Sequence, residues 1–198
     1  MNREDFFETF LKEMPNNTGI HDPYPLIQKN IKDFLNELSA KLSFLTNNIK
    51  KLQIDNILIY YIENQIGIEL EEKPYGLVIT SVGKNPLFKK QPPYASDLYI
   101  EILKDSNKSL IISDATLTTN SFKTWKRLFN QGYKISLYDM SKPGQTFKTI
   151  ETIDQMEQYF KTNNKDYEKY RYVLSESNRL IETSYRFGIK RYRELSGT

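Results

Sequence analysis

A single histidine, His21, carries all the imidazole chemistry available to this chain, and there is no cysteine. The missing thiols exclude disulfides, thiolate nucleophiles and cysteine-ligated zinc. One imidazole is too few for the usual histidine metal site, and a Ser-His-Asp arrangement would have to use His21 itself. Its setting, "GIHDPYP", reads as a polar surface turn. No metal is expected. The loop "KNPLFKKQPP" holds Lys84, Lys89 and Lys90 beside Gln91 and contains no acid. Glu69 and Glu71 alternate with Ile66, Ile68 and Leu70 in "IGIELEE". A strand sets such glutamates on one face, where solvent is the ordinary surrounding.

The best-punctuated stretch is "TTNSFKTWKRLFNQGYKISLYD", residues 118–139. Phe122, Trp125, Leu128 and Phe129 share a helical face, with Lys123, Lys126, Arg127 and Asn130 on the other side. Thr118, Thr119 and Asn120 are all suitable N-caps, and Gly132 suits the left-handed position after the helix. Trp125, the only tryptophan, is expected in the core. With "SLIIS" before it and "YKISLYD" after it, the unit reads as a βαβ crossover.

Residues 24–50 repeat apolar side chains at helical spacing and predict a helix or helix pair, with a break near "SFLTNN". "DNILIYYIEN", "IGIELEE" and "YGLVITSVG" predict a three-strand antiparallel meander. "YASDLYIEILKD" predicts a helix, "TFKTI" a short strand, "TIDQMEQYF" a helix capped by Thr152, and "KYRYVLSE" a last strand. Phe6, Phe7, Phe10, Leu11 and Met14 predict an amphipathic helix over 3–14; Ile181, Tyr185, Ile189 and Tyr192 predict another over 177–195. The expected fold class is α/β: a mixed, mostly antiparallel sheet flanked by helices, with helical extensions at both termini. The expected boundaries are an N-terminal helix and turn over 1–20, an α/β domain over 21–176 and a basic helix over 177–198.

The formal net charge is +3, and the stretch 178–198 has five cations against two anions. Arg179, Arg186, Lys190, Arg191 and Arg193 are therefore where a nucleic acid would bind, although the apolar spacing turns the neighbouring aromatics toward the core. The Phe-rich and basic terminal helices are expected to dock on a protein partner or a larger assembly. The first residues lack the basic start and apolar run of a signal peptide, and no segment approaches the roughly 18 apolar residues of a membrane span. A cytoplasmic location is expected, without a membrane partner. Lysine outnumbers arginine 21 to 7 and Asn and Ile are abundant, which suggests an AT-rich genome such as that of a phage, a mobile element or an AT-rich bacterium.

The stretch "SLIISDATLTTNSFKTWKRLFNQGYKISLYD" resembles the C-terminal half of the GNAT superfamily of N-acetyltransferases, with Gly132-Tyr133 closing the helix as a Gly-Phe pair does there. The element order from about residue 24 to 176 is also similar. The resemblance implies that acetyl-CoA lies between strands 75–82 and 109–113. Its phosphates would meet Lys84, Lys89, Lys90 and Gln91 at the start of the helix near Tyr94. The family's loop, R/Q-x-x-G-x-G/A, aligns with Lys90-Gln91-Pro92-Pro93-Tyr94-Ala95. The cation and the small Ala95 are kept, and Pro93 stands for the first glycine and offers no N–H. Ser121 stands where many members carry Asn, and Leu128 where they carry the acidic Tyr. Tyr138 lies nearby as a hydroxyl that could serve. By analogy Glu69 or Glu71 would be the base, and amides of Val78 to Val82 would hold the oxyanion.

Two functions follow from the resemblance. One is an acyl-CoA-dependent N-acyltransferase acting on an amine. The other is a non-enzymatic phage structural or host-interaction protein that uses the fold as a docking scaffold.

Overall fold

Segments rich in β-branched and aromatic residues form one sheet, and helices cover both of its faces. The computed structural model describes residues 23–46, 48–106, 110–114, 117–141, 148–160 and 165–175. The expected helices over 3–14 and 177–195, His21 and the basic cluster after residue 178 lie outside the described residues.

The order is α1 (Pro23–Leu35), β1 (Lys41–Phe44), β2 (Lys50–Ile54), β3 (Ile57–Ile62), β4 (Ile66–Lys73) and β5 (Gly76–Lys84). A 3₁₀ turn at Pro86–Phe88 leads to α2 (Ala95–Asp105), β6 (Leu110–Ile112), α3 (Thr119–Asn130) and β7 (Ile135–Asp139). Then follow β8 (Lys148–Thr149), α4 (Ile153–Gln158) and β9 (Tyr170–Ser175). The nine strands run in the order β1-β2-β3-β4-β5-β6-β9-β7-β8. Among the described residues only β5 and β6 pair in parallel; the other pairs are antiparallel. This is an α/β fold with a mixed, mostly antiparallel sheet flanked by helices.

Two expectations are corrected. Lys41–Phe44 and Lys50 belong to a β-hairpin, not to a helix. Leu42, Leu45 and Ile49 satisfy a helical period by coincidence, and the Thr46 hydroxyl accepts the amides of Asn48 (3.4 Å) and Ile49 (3.2 Å) to turn the chain instead. The β6–α3–β7 unit is not a simple crossover either. β9 lies between β6 and β7, antiparallel to both, so the adjacent parallel pair is β5–α2–β6.

One face of the sheet carries the main core. Ile66, Ile68, Leu70, Leu77, Ile79, Ile111, Ile135 and Leu174 pack there against Leu98 and Ile102 of α2 and Trp125 and Leu128 of α3. Trp125 is fully buried between Tyr99 and Tyr172, each with its ring centroid 5.9 Å away. Phe122 stacks on Phe160 at 4.2 Å. Thr118 caps α3 by accepting the Ser121 amide at 3.1 Å. At the other end, the Gly132 amide bonds the Phe129 carbonyl (2.9 Å) and the Tyr133 amide bonds the Leu128 carbonyl (3.1 Å). Gly132 has φ +85°, so the helix stops in a Schellman motif, as its sequence predicts.

The opposite face belongs to α1. Ile27 and Ile31 pack on Leu52, Ile59 and Tyr61. Contact is close because β4 and β5 offer glycine beneath the helix. A Cβ on Gly67 would lie 2.4 Å from the Ile27 Cγ2, and one on Gly83 would lie 2.5 Å from the Tyr24 Cα.

Candidate functional site

The site begins where β5 leaves β6. Their pairing is confined to Leu77↔Ile111 and Val78↔Ile112, while β5 itself continues to Lys84. Just beyond that fork the β4–β5 register shifts: Glu69 pairs with Ser81 and Leu70 with Ile79, which leaves Thr80 as the bulged residue. The bulge turns Thr80 toward Glu69. The Thr80 hydroxyl donates to one Glu69 carboxylate oxygen at 2.9 Å, and the Asn30 side-chain amide of α1 donates to the other at 2.8 Å. Glu69 is only 5% exposed. Alternation predicts a solvated Glu69; α1 covers that face and buries it.

The second half of the site is the start of α2, where the resemblance puts the cofactor phosphates. The Lys84 ammonium donates to the carbonyls of Gln91 and Pro93, the latter at 2.8 Å. It also lies 4.5 Å from the Tyr94 ring centroid. Burial lowers the pKa of Lys84; Asp97 opposes that shift and Arg127 adds to it. Arg127 of α3 stacks on the same ring at 3.9 Å. The Tyr94 amide donates to the Asp97 carboxylate at 2.8 Å, and the Asp97 and Leu98 amides bond the Tyr94 carbonyl. The amides of Ala95 and Ser96 also belong to this first turn, and Ser96 is buried. Lys89 and Lys90 are exposed beside them, and the Gln91 side chain is exposed as well. Ala95 opens α2 and packs partly against the main core.

No family model and no curated protein matches this chain. Among solved structures it is similar to a protein at low identity. That protein is described as a putative acetyltransferase of the GNAT family from Bacteroides thetaiotaomicron. The likeness covers 96% of this chain and 88% of the other at 12% identity, with a TM-score of 0.35.

The remaining candidates are spread over the fold. Glu71 lies two residues beyond Glu69 and accepts from the Asn56 side-chain amide (3.0 Å) and from Lys73 (2.6 Å). Ser121 belongs to the α3 cap, its hydroxyl 3.0 Å from that of Thr118. Leu128 is fully buried. Tyr138 is on β7 and packs on the apolar cluster of Leu110, Ile112 and Val173, together with Val78. β5 and β7 are separated by β6 and β9. At about 4.8 Å per strand, Tyr138 is roughly 14 Å from the β5 bulge. The structure therefore joins Glu69 to the fork and leaves Tyr138 at a distance. Among the described residues, no group of three or more His, Cys, Asp or Glu could hold a metal ion, and no helix is long and apolar enough to cross a membrane.

Sequence reasoning missed Asn30, Thr80 and Arg127. Asn30 could have been found, because it interrupts the buried stripe of Ile27, Ile31 and Phe34. Thr80 had no such signal, since a bulge depends on the register of two strands.

Proposed function

We propose that this chain is a GNAT-like N-acyltransferase that moves an acetyl group from acetyl-CoA to an amine. The observation that carries the reading is the fork: a parallel β5–β6 pair that parts after Val78, with a bulge at Thr80 and a carboxylate held at that bulge. An extended thioester fits between parting strands, where backbone amides of one strand have no neighbouring strand to bond. In this reading Glu69 is the base, the amides of the Val78 to Val82 segment face the oxyanion, and Ala95, Ser96, Lys89 and Lys90 meet the phosphates. The acyl thioester supplies the activated carbonyl; the protein supplies orientation and the proton acceptor. Calorimetry is expected to give micromolar binding of acetyl-CoA. No heat with millimolar acetyl-CoA overturns the reading.

A second reading rests on the phosphate end. Pro93 has no N–H, Lys84 is held by two carbonyls, and the Asp97 carboxylate occupies the first turn of α2. These features oppose an anion there and favour a non-enzymatic scaffold within a phage particle or a host complex. The segments 1–20 and 177–198 would be its docking elements. It predicts co-elution with a partner and no binding of acetyl-CoA; a strict monomer that binds acetyl-CoA rules it out.

A further inference from the structure

We propose that Thr80, not Glu69, is the group that meets the acceptor amine, and that it relays the amine proton to the buried Glu69. The inference rests on the acyltransferase reading and adds a catalytic residue to it. Glu69 is 5% exposed, and its two carboxylate oxygens receive Asn30 and Thr80 respectively. A substrate nitrogen cannot reach a carboxylate enclosed in this way by α1 and the bulge. Thr80 is only partly buried. Its hydroxyl hydrogen already points at Glu69 across 2.9 Å, and its oxygen keeps lone pairs to accept from another donor. It stands two residues beyond Val78, the last β5 residue paired with β6, at the mouth of the fork. Asn30 is the positioning residue. It holds the second carboxylate oxygen at 2.8 Å, and the glycine contacts beneath Tyr24 and Ile27 fix the height of its helix.

The step balances as follows. An ammonium acceptor gives one proton to the Thr80 oxygen while the Thr80 hydrogen passes to Glu69. The freed nitrogen lone pair forms the bond to the thioester carbonyl carbon, and the carbon–sulfur bond breaks. The second nitrogen proton leaves with the thiolate as thiol. The proton on Glu69 returns through Thr80 to water.

The test compares wild type with Thr80→Val, which keeps the shape and removes the hydroxyl, and Thr80→Ser, which keeps the hydroxyl. In the free protein, the Glu69 carboxyl carbon resonance at fixed pH is expected to move in the Val variant and to return in the Ser variant. With acetyl-CoA and an amine, Thr80→Val is expected to lower kcat about 100-fold, within the range of general-base effects, at unchanged acetyl-CoA affinity. Thr80→Ser is expected to stay within a few-fold of wild type. A Val variant with wild-type kcat, or an unmoved Glu69 resonance, overturns the relay and leaves the acyltransferase reading intact. Wild type that binds no acetyl-CoA overturns both.

Discussion

Gly83 sets the height of α1 over the sheet, and Gly83→Ala tests what that height does. The added Cβ would sit 2.5 Å from the Tyr24 Cα, 2.6 Å from its nitrogen and 2.8 Å from the Pro23 carbonyl carbon. All three are backbone atoms, so no rotamer change relieves the overlap. Carbon atoms settle at about 3.5–4.0 Å, so the helix must rise by about 1 Å. α1 moves as a rigid rod, and Asn30 lies only about 9 Å along it from Tyr24. A 1 Å rise lengthens the Asn30–Glu69 bond from 2.8 Å past any useful distance. Overpacking costs about 1–3 kcal/mol, and loss of a hydrogen bond to a buried carboxylate about 1.5–3 kcal/mol. The expected total is roughly 2.5–6 kcal/mol, a large share of the stability of a domain. Urea unfolding followed by Trp125 fluorescence measures it. Asn30→Ala in the Gly83→Ala background is expected to cost less than in wild type, because the bond it removes is already broken. Gly132→Ala is the control: nothing lies within 4 Å of its Cβ site, so only the positive φ is penalised, at about 1 kcal/mol. A Gly83→Ala protein within about 0.5 kcal/mol of wild type refutes the argument.

Other outcomes follow from the core. Trp125→Ala is expected to cost about 3–5 kcal/mol by emptying the space between Tyr99 and Tyr172, and a loss under about 1 kcal/mol in urea titration contradicts the packing. Burial raises the pKa of Tyr60, Tyr99 and Tyr172, and for Tyr60 the hydrogen bond to Asp105 adds to it. A raised folded pKa gives stability that is complete below the unfolded pKa of about 10 and is lost as pH rises toward the folded value. The unfolding free energy is therefore expected to fall by about 1 kcal/mol per tyrosine between pH 10 and 11. Tyr60→Phe should remove its own share, and a flat profile up to pH 11 refutes the assignment.

What the sequence disclosed follows from the range of each interaction. Thr118, Gly132 and the stripe from Phe122 to Phe129 specify α3 within a single stretch of chain, and the structure has that helix with its cap and its stop. Leu42, Leu45 and Ile49 satisfy a helical period, and only the pairing of Lys41 with Gln53 through Phe44 with Lys50 overrides it. The insertion of β9 between β6 and β7 depends on contacts far apart in the sequence, and no local pattern encodes it. Glu69 shows the same limit at the site. Alternation places it on the correct side of β4, but whether that side meets water depends on α1, about 40 residues earlier. Gly67 and Gly83, small residues in adjacent strands, are the trace that the helix leaves in the sequence.

β9 has a consequence for synthesis. It is made last of the described strands and pairs on both sides: Leu174 faces Ile111 of β6 on one side and Ile135 of β7 on the other. A ribosome makes β6 and β7 long before it makes residues 170–175. Until then the nascent chain holds two apolar strands with open edges and no neighbour between them, a surface that chaperones and other nascent chains recognise. The sheet cannot close from its beginning as it emerges. It closes when its late-made strand slides into the gap, so a ribosome stalled before Tyr170 leaves a product in which β6 and β7 have no strand between them.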